Sequence, residues 1–236
     1  MKIACVLYGQ PRSLVPGLDL LRKYIIEPNG IQDIYVHQWY SAKLIGTRFV
    51  SSQMGNDLKW GSYRKDTLEL LAALHAKLIV LEQPKDFPEF SDLRMYGDTN
   101  ASRLGSCFYS MQNAAVLAGT DYDCVIRVRT DIEYFHPVVV TECEADTVYV
   151  SNKYQHDIDP KRTSIKGFTY IRCTDFFMYG TPATMRTMGK VYDNLPMLSA
   201  DTQDPGGEEF SGLWAGLNHL TINTFPDSFR QLRQTD

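Results

Sequence analysis

The chain has 236 residues, 44% of them hydrophobic and 22% charged, and a formal net charge of −4. That length buries a sizeable core without disulfides or metal staples. The acidic balance excludes a protein that holds nucleic acid by bulk charge, which takes a basic surface. Cys5, Cys107, Cys124, Cys143 and Cys173 form no C-x-x-C pair and read as reduced thiols. No apolar run reaches the ~18 residues that cross a bilayer, and the short apolar opening reads as a strand, not a signal peptide. A soluble, cytoplasmic protein without a transmembrane segment is the expectation.

In chain order, Lys2 to Tyr8 is a short apolar run ending at Gly9, a buried-strand signal. The turn "GQPRSL" offers Ser13 as a helix N-cap, and Leu14, Leu18, Leu21 and Ile25 recur at helical spacing up to Pro28. "DIYVHQW", Asp33 to Trp39, alternates like a strand. Residues 41–63 read as a long loop, 64–76 as a helix and 77–82, "KLIVLE", as a strand. A second long loop, 84–100, leads to a helix over 101–118, and the apolar strand 124–129 follows. This alternation predicts a parallel α/β sheet with both faces covered. After Pro137 the rhythm changes. "DTVYV", "GFTYIRCTDFFMYG" and "LTINTF" read as strands, interrupted by helices at 182–195 and 207–217. The expectation is one α/β domain, Rossmann-like, whose mostly parallel central sheet carries a mixed C-terminal extension.

The segment "DYDCVIRVRTDIEYF" concentrates the chemistry. Asp131 and Glu133 fall just past the carboxyl end of an apolar strand, the edge on which parallel sheets bind ligands. Two converging carboxylates repel unless a cation lies between them. Mg²⁺ or Mn²⁺, with oxygen ligands and a diphosphate completing the shell, is the physical reading. Arg127 and Arg129 share one strand face by the period-two rule and require anionic partners, internal acids or a bound phosphate. Asp121 and Asp123 lie at the opposite strand end and read as a turn. Asp157 and Asp159 lie in a polar loop and read as a surface turn.

With these residues the chain resembles GT-A-type glycosyltransferases, in which a D-x-D-like pair ends a central strand; here "VIRVRTDIEY" matches with Glu133 as the second acid. More narrowly it resembles small glycosyltransferases of large DNA viruses, phages and some bacteria. The shared pieces are an opening strand with "GQxR" (Gly9, Gln10, Arg12), then "DIYVHQW", "CFYSMQNAAVLA", "YDCVIRVRTD", "TDFFMYG" and "GGEEFSGLWAGL". The resemblance implies a nucleotide diphosphate sugar donor, a glycan or protein-linked glycan acceptor, and Mn²⁺ or Mg²⁺ held by Asp131 and Glu133. It implies a donor-binding half, 1–135, and an acceptor-side half, 136–236.

Further candidates follow. Gly9, Gln10 and Arg12 sit on the ligand edge, although a plain turn explains them too. Trp39 is placed to stack on a base or to pack in the core, and His37 reads as core. Arg103, in the first turn of the 101–118 helix, suits a phosphate. Asp175 and Glu209 are the candidate general bases. Glu208 is explained by the helix macrodipole alone, and His219 is a weak third metal ligand. Two rival functions stand beside transfer: a nucleotidyltransferase acting on sugar phosphates, and a non-catalytic nucleotide- or carbohydrate-binding module.

Overall fold

The computed structural model describes residues 1–47, 62–91, 93, 101–151, 164–165, 168–169, 172–200, 207–226 and 229–231. Its first half holds β1 (Ile3–Gly9), α1 (Leu14–Leu21), β2 (Asp33–Trp39), α2 (Thr67–Ala72), β3 (Leu78–Glu82), α3 (Ala101–Leu117), β4 (Cys124–Val128) and β5 (Ile132–Tyr134). There follow β6 (Thr147–Ser151), β7 (Ser164–Ile165), β8 (Phe168–Thr169), β9 (Phe177–Gly180), α4 (Pro182–Gly189), α5 (Val191–Ala200), α6 (Gly207–Leu217), β10 (Thr221–Phe225) and β11 (Phe229–Gln231).

The main sheet has seven strands in the order β10-β6-β9-β4-β1-β2-β3. β9 runs antiparallel to both neighbours, and the other described pairings in this sheet are parallel. β5 pairs antiparallel with β11, and β7 with β8. The first half alternates as expected, and strands from both sides of residue 135 share the main sheet.

β1 is central because nearly its whole run, IACVLYG, is apolar and buried, the pattern of a strand covered on both faces. Ala4, Val6 and Tyr8 turn to one face, against Phe108 and Met111 of α3, Met185 of α4 and Phe210 of α6. Ile3, Cys5 and Leu7 turn to the other, against Leu14, Leu18 and Leu21 of α1 and Leu71 of α2. Each large apolar side chain so buried contributes about 1.5–3 kcal/mol.

Three helices differ from the sequence reading. Ser13 precedes α1, but its φ is 47 and its side chain makes no capping bond. Gly17 fixes α1 instead: a Cβ there would lie 1.8 Å from the Thr130 carbonyl oxygen, so only glycine lets the helix rest on the segment after β4. The helix expected over 182–195 divides at Lys190 into α4 and α5. The helix expected over 64–76 is shorter, Thr67–Ala72.

Candidate functional site

The site assembles where β1 and β4 end. Because β9 runs antiparallel to β4, its amino end comes to the carboxyl end of β4: Val128 pairs with Phe177, and the Arg129 amide donates to the Phe176 carbonyl at 3.1 Å. That register delivers Asp175 beside Arg129.

Arg129 is the hub. Its Nε donates to Asp131 Oδ1 at 2.8 Å and its Nη2 to Asp131 Oδ2 at 2.5 Å. Its Nη1 donates to Asp175 Oδ2 at 3.1 Å. The Asp131 side chain is 2% exposed, while those of Arg129 and Asp175 are each 15% exposed. Burial alone opposes the charge on Arg129, but Asp131 and then Asp175 raise its pKa well above the ordinary value. The Cys107 thiol of α3 also donates to Asp175 Oδ2, at 3.4 Å, and burial followed by Asp175 pushes that thiol up.

Beneath this hub lies Arg127, 1% exposed. Its Nη2 touches Met178 Sδ, and its Nε and Nη1 have no hydrogen-bond partner among the described residues. The guanidinium lies over the Tyr8 ring at 5.5 Å, and the Tyr8 hydroxyl is likewise without a partner there. Burial lowers the Arg127 pKa, with Tyr8, Cys107 and Asp175 opposing. A buried guanidinium without a bonded anion is costly, and such costs collect at functional positions.

α6 closes the other side. The Cys173 amide donates to the Glu208 carbonyl at 3.1 Å, which ties the start of α6 to the segment before β9. Arg172 Nη2 pairs with Glu209 Oε1 at 2.6 Å. Burial, then the like charges of Asp175 and Glu209, push the Glu208 carboxyl up to about 7.

The loop after β1 forms the roof. Gly9 has φ +94, a conformation that glycine adopts freely, and its amide donates to Ser110 Oγ at 2.9 Å. Arg12 Nε donates to Gln10 Oε1 at 2.7 Å, and Thr130 Oγ1 donates to the Arg12 carbonyl at 3.0 Å. Burial, with Arg129 adding, lowers the Arg12 pKa to about 10, and Asp131 opposes. Gly9, Gln10, Arg12, Arg127, Arg129, Asp131, Asp175 and Glu209 therefore gather around one edge.

Trp39, His37 and His219 fall elsewhere. Trp39 is in the core, stacked on Tyr109 at 5.5 Å and edge-on to His37 and Phe87, so its faces serve packing in place of a ligand. His37 bonds Ser110 Oγ at 2.8 Å and Glu82 Oε1 at 2.9 Å. Glu133 lies in β5 opposite Arg230. His219 closes the turn after α6, just before β10, at the amino edge of the sheet and away from the site. Arg103 starts α3, but its side chain, like Asp157 and Asp159, lies outside the described residues. Glu208 and Cys107 are the site groups that sequence reading passed over. The only sequence signal for Glu208 was its place beside Glu209 after a double glycine, since an acid in a first helical turn is expected without any function.

No protein-family model matches the sequence, and no curated protein matches it. Solved structures do match. An active-site mutant of LgtC aligns with 94% of this chain and 72% of its own, at 8% identity and a TM-score of 0.53. Mouse xyloside xylosyltransferase 1 in its apo form aligns with 95% of this chain and 84% of its own, at 9% identity and a TM-score of 0.47. The chain has the α/β, Rossmann-like fold of GT-A type, its seven-strand sheet mostly parallel and flanked by helices. Among the described residues no helix is long and apolar enough to cross a membrane.

Proposed function

We propose that this chain is a glycosyltransferase that moves a sugar from a nucleotide diphosphate sugar to a hydroxyl of a glycan or protein-linked glycan. One observation supports this above others. In a fold shared with LgtC, the ligand edge of the sheet carries a set of arginines and acids, Arg127 and Asp131 buried and Arg12, Arg129, Asp175 and Glu208 half-buried. Guanidinium groups suit a diphosphate by geometry and charge. A carboxyl with pKa near 7 suits a general base at neutral pH.

In the transfer, the acceptor oxygen bonds to the anomeric carbon. The bond from that carbon to the diphosphate oxygen breaks, and its electron pair leaves with the diphosphate. The acceptor proton passes to the Glu208 carboxylate, with Asp175 beside it on Arg129. Arg129 and Arg12 meet the negative charge that develops on the leaving group. The donor falls to residues 1–135 and the acceptor to 136–236, the part that carries Asp175, Glu208 and Glu209. Five free cysteines suit a cytoplasmic setting.

The sequence expectation of Mn²⁺ or Mg²⁺ on Asp131 and Glu133 meets a difficulty. Arg129 binds both oxygens of Asp131, so this carboxylate is arranged around a guanidinium. Among the described residues no group of three or more His, Cys, Asp or Glu side chains is disposed to hold a metal ion. The described residues do not fit the ion, and no step above runs through it.

The test is release of nucleoside diphosphate from UDP-, GDP- and dTDP-sugars, each with a mixture of hydroxyl acceptors. One donor is expected to be consumed and its sugar recovered on an acceptor. Binding without release would favour a binding module, and formation of nucleoside triphosphate and sugar 1-phosphate only when pyrophosphate is supplied would favour nucleotidyl chemistry.

A further inference from the structure

The disagreement between the D-x-E segment and its expected ion has a positive content. Asp131 is nearly sealed from solvent, and both of its oxygens accept from one guanidinium at 2.8 and 2.5 Å. The same guanidinium spends a third N–H on Asp175 at 3.1 Å. A planar fork held at three points by two carboxylates is fixed in direction. A divalent ion brought to Asp131 would stand against that guanidinium and be repelled by it.

A second observation is independent of the first. Arg127, two residues earlier on the same strand face, is buried without a bonded anion among the described residues. Its contacts are Met178 Sδ and the Tyr8 ring. Three arginines, Arg12, Arg127 and Arg129, therefore face Asp131 and Asp175 across this edge, while Arg172 is engaged by Glu209. These guanidinium groups stand at the edge before any ligand arrives. In a site of low dielectric such fixed charge stabilises the further negative charge that a diphosphate gains as it leaves, without reorganisation.

We infer that the positive charge for the departing diphosphate is built into the protein: Arg129, aimed by Asp131 and Asp175, and Arg127 beneath it take the place that a divalent cation would otherwise fill. Asp131 is then a positioning residue for Arg129 in place of a metal ligand. Arg127 acts through its field, since it is sealed below the hub. The inference rests on the proposed use of a nucleotide diphosphate sugar and deepens it.

The experiment titrates UDP, GDP and dTDP into the whole protein by calorimetry, once in EDTA and once in excess Mn²⁺. A parallel paramagnetic-resonance titration follows Mn²⁺ alone. At least one nucleotide is expected to bind in EDTA with an affinity within about twofold of that in Mn²⁺, and Mn²⁺ alone to stay free in solution. Arg129→Met and Arg127→Met should weaken that nucleotide by about tenfold or more in EDTA, with no recovery in Mn²⁺. A gain of about tenfold or more on adding Mn²⁺ to the wild type overturns the inference and leaves glycosyl transfer standing. Absence of nucleotide binding under either condition overturns both. The wild-type arms decide the matter even where a variant fails to fold, and the melting curve of each variant identifies that case.

Discussion

Two polar clusters sit on the same edge of the sheet and are built on opposite principles. At the ends of β2 and β3, His37 bonds Ser110 and Glu82, and Tyr109 adds a bond to Glu82 at 3.1 Å. Burial lowers the His37 pKa. Burial would raise that of Glu82, but His37, Tyr109 and Lys85 together outweigh it and bring the pKa down. Both ring nitrogens of His37 are matched, so this cluster is a closed network that fixes α3 on the sheet. At the ends of β1 and β4, Arg127 lacks a bonded anion among the described residues, and burial and like charge push the Glu208 carboxyl up to about 7. The first cluster satisfies its groups, while the second leaves the Arg127 Nε and Nη1 without a partner among the described residues. A fold tolerates such a deficit where a ligand completes the arrangement.

The sharpest way to break this contrast is at Glu208. Glu208→Gln should lower kcat by about 10²–10⁴ and leave KM near that of the wild type, as expected for loss of a general base. The wild-type rate should climb as pH rises through about 7, where Glu208 loses its proton, and the variant should lose that limb. The same shift has a stability sign. The folded carboxyl binds its proton more tightly than the unfolded one, so the folded state is favoured by acid. Stability should fall as pH rises from the ordinary glutamate range to about 7 and level off above it. Glu208→Gln should flatten that slope in urea titrations. A steep slope that survives in the variant would assign it to another group.

A smaller effect compares the clusters by stability. Asp131→Ala strands a mostly buried guanidinium and should cost about 3–5 kcal/mol, together with turnover. His37→Ala opens a neutral network and should cost about 1–3 kcal/mol, with turnover per folded molecule retained. Urea midpoints and rates on the same samples check both. Equal loss of rate in the two variants would erase the distinction between the clusters.

The order of elements up to residue 135 was legible because apolar runs, turn residues and strand–helix alternation act locally. The end of β4 was legible as a site for the same reason: acids directly after an apolar strand lie at the ligand edge of a parallel sheet. The direction of Asp131 was not, because it depends on Arg129 returning over its own strand end to meet a residue 46 positions away. Glu208 was hidden by the macrodipole argument, which explains an acid at a helix start without reference to what is packed against it. Trp39 shows the reverse case. It lies near the correct edge, and only the packing of Tyr109, His37 and Phe87 reveals that it is a core residue. Pairing across the antiparallel β9, which carries Asp175 into the site, is a non-local event that period and propensity do not encode.

The most direct measurement is a crystal structure of the protein soaked with the nucleoside diphosphate that binds best in EDTA. The account predicts diphosphate oxygens within hydrogen-bonding distance of the Arg12 and Arg129 guanidinium groups at the end of β4, with Asp131 still bound to Arg129. A nucleotide seated away from that edge, or a diphosphate anchored through a cation on Asp131, would contradict it.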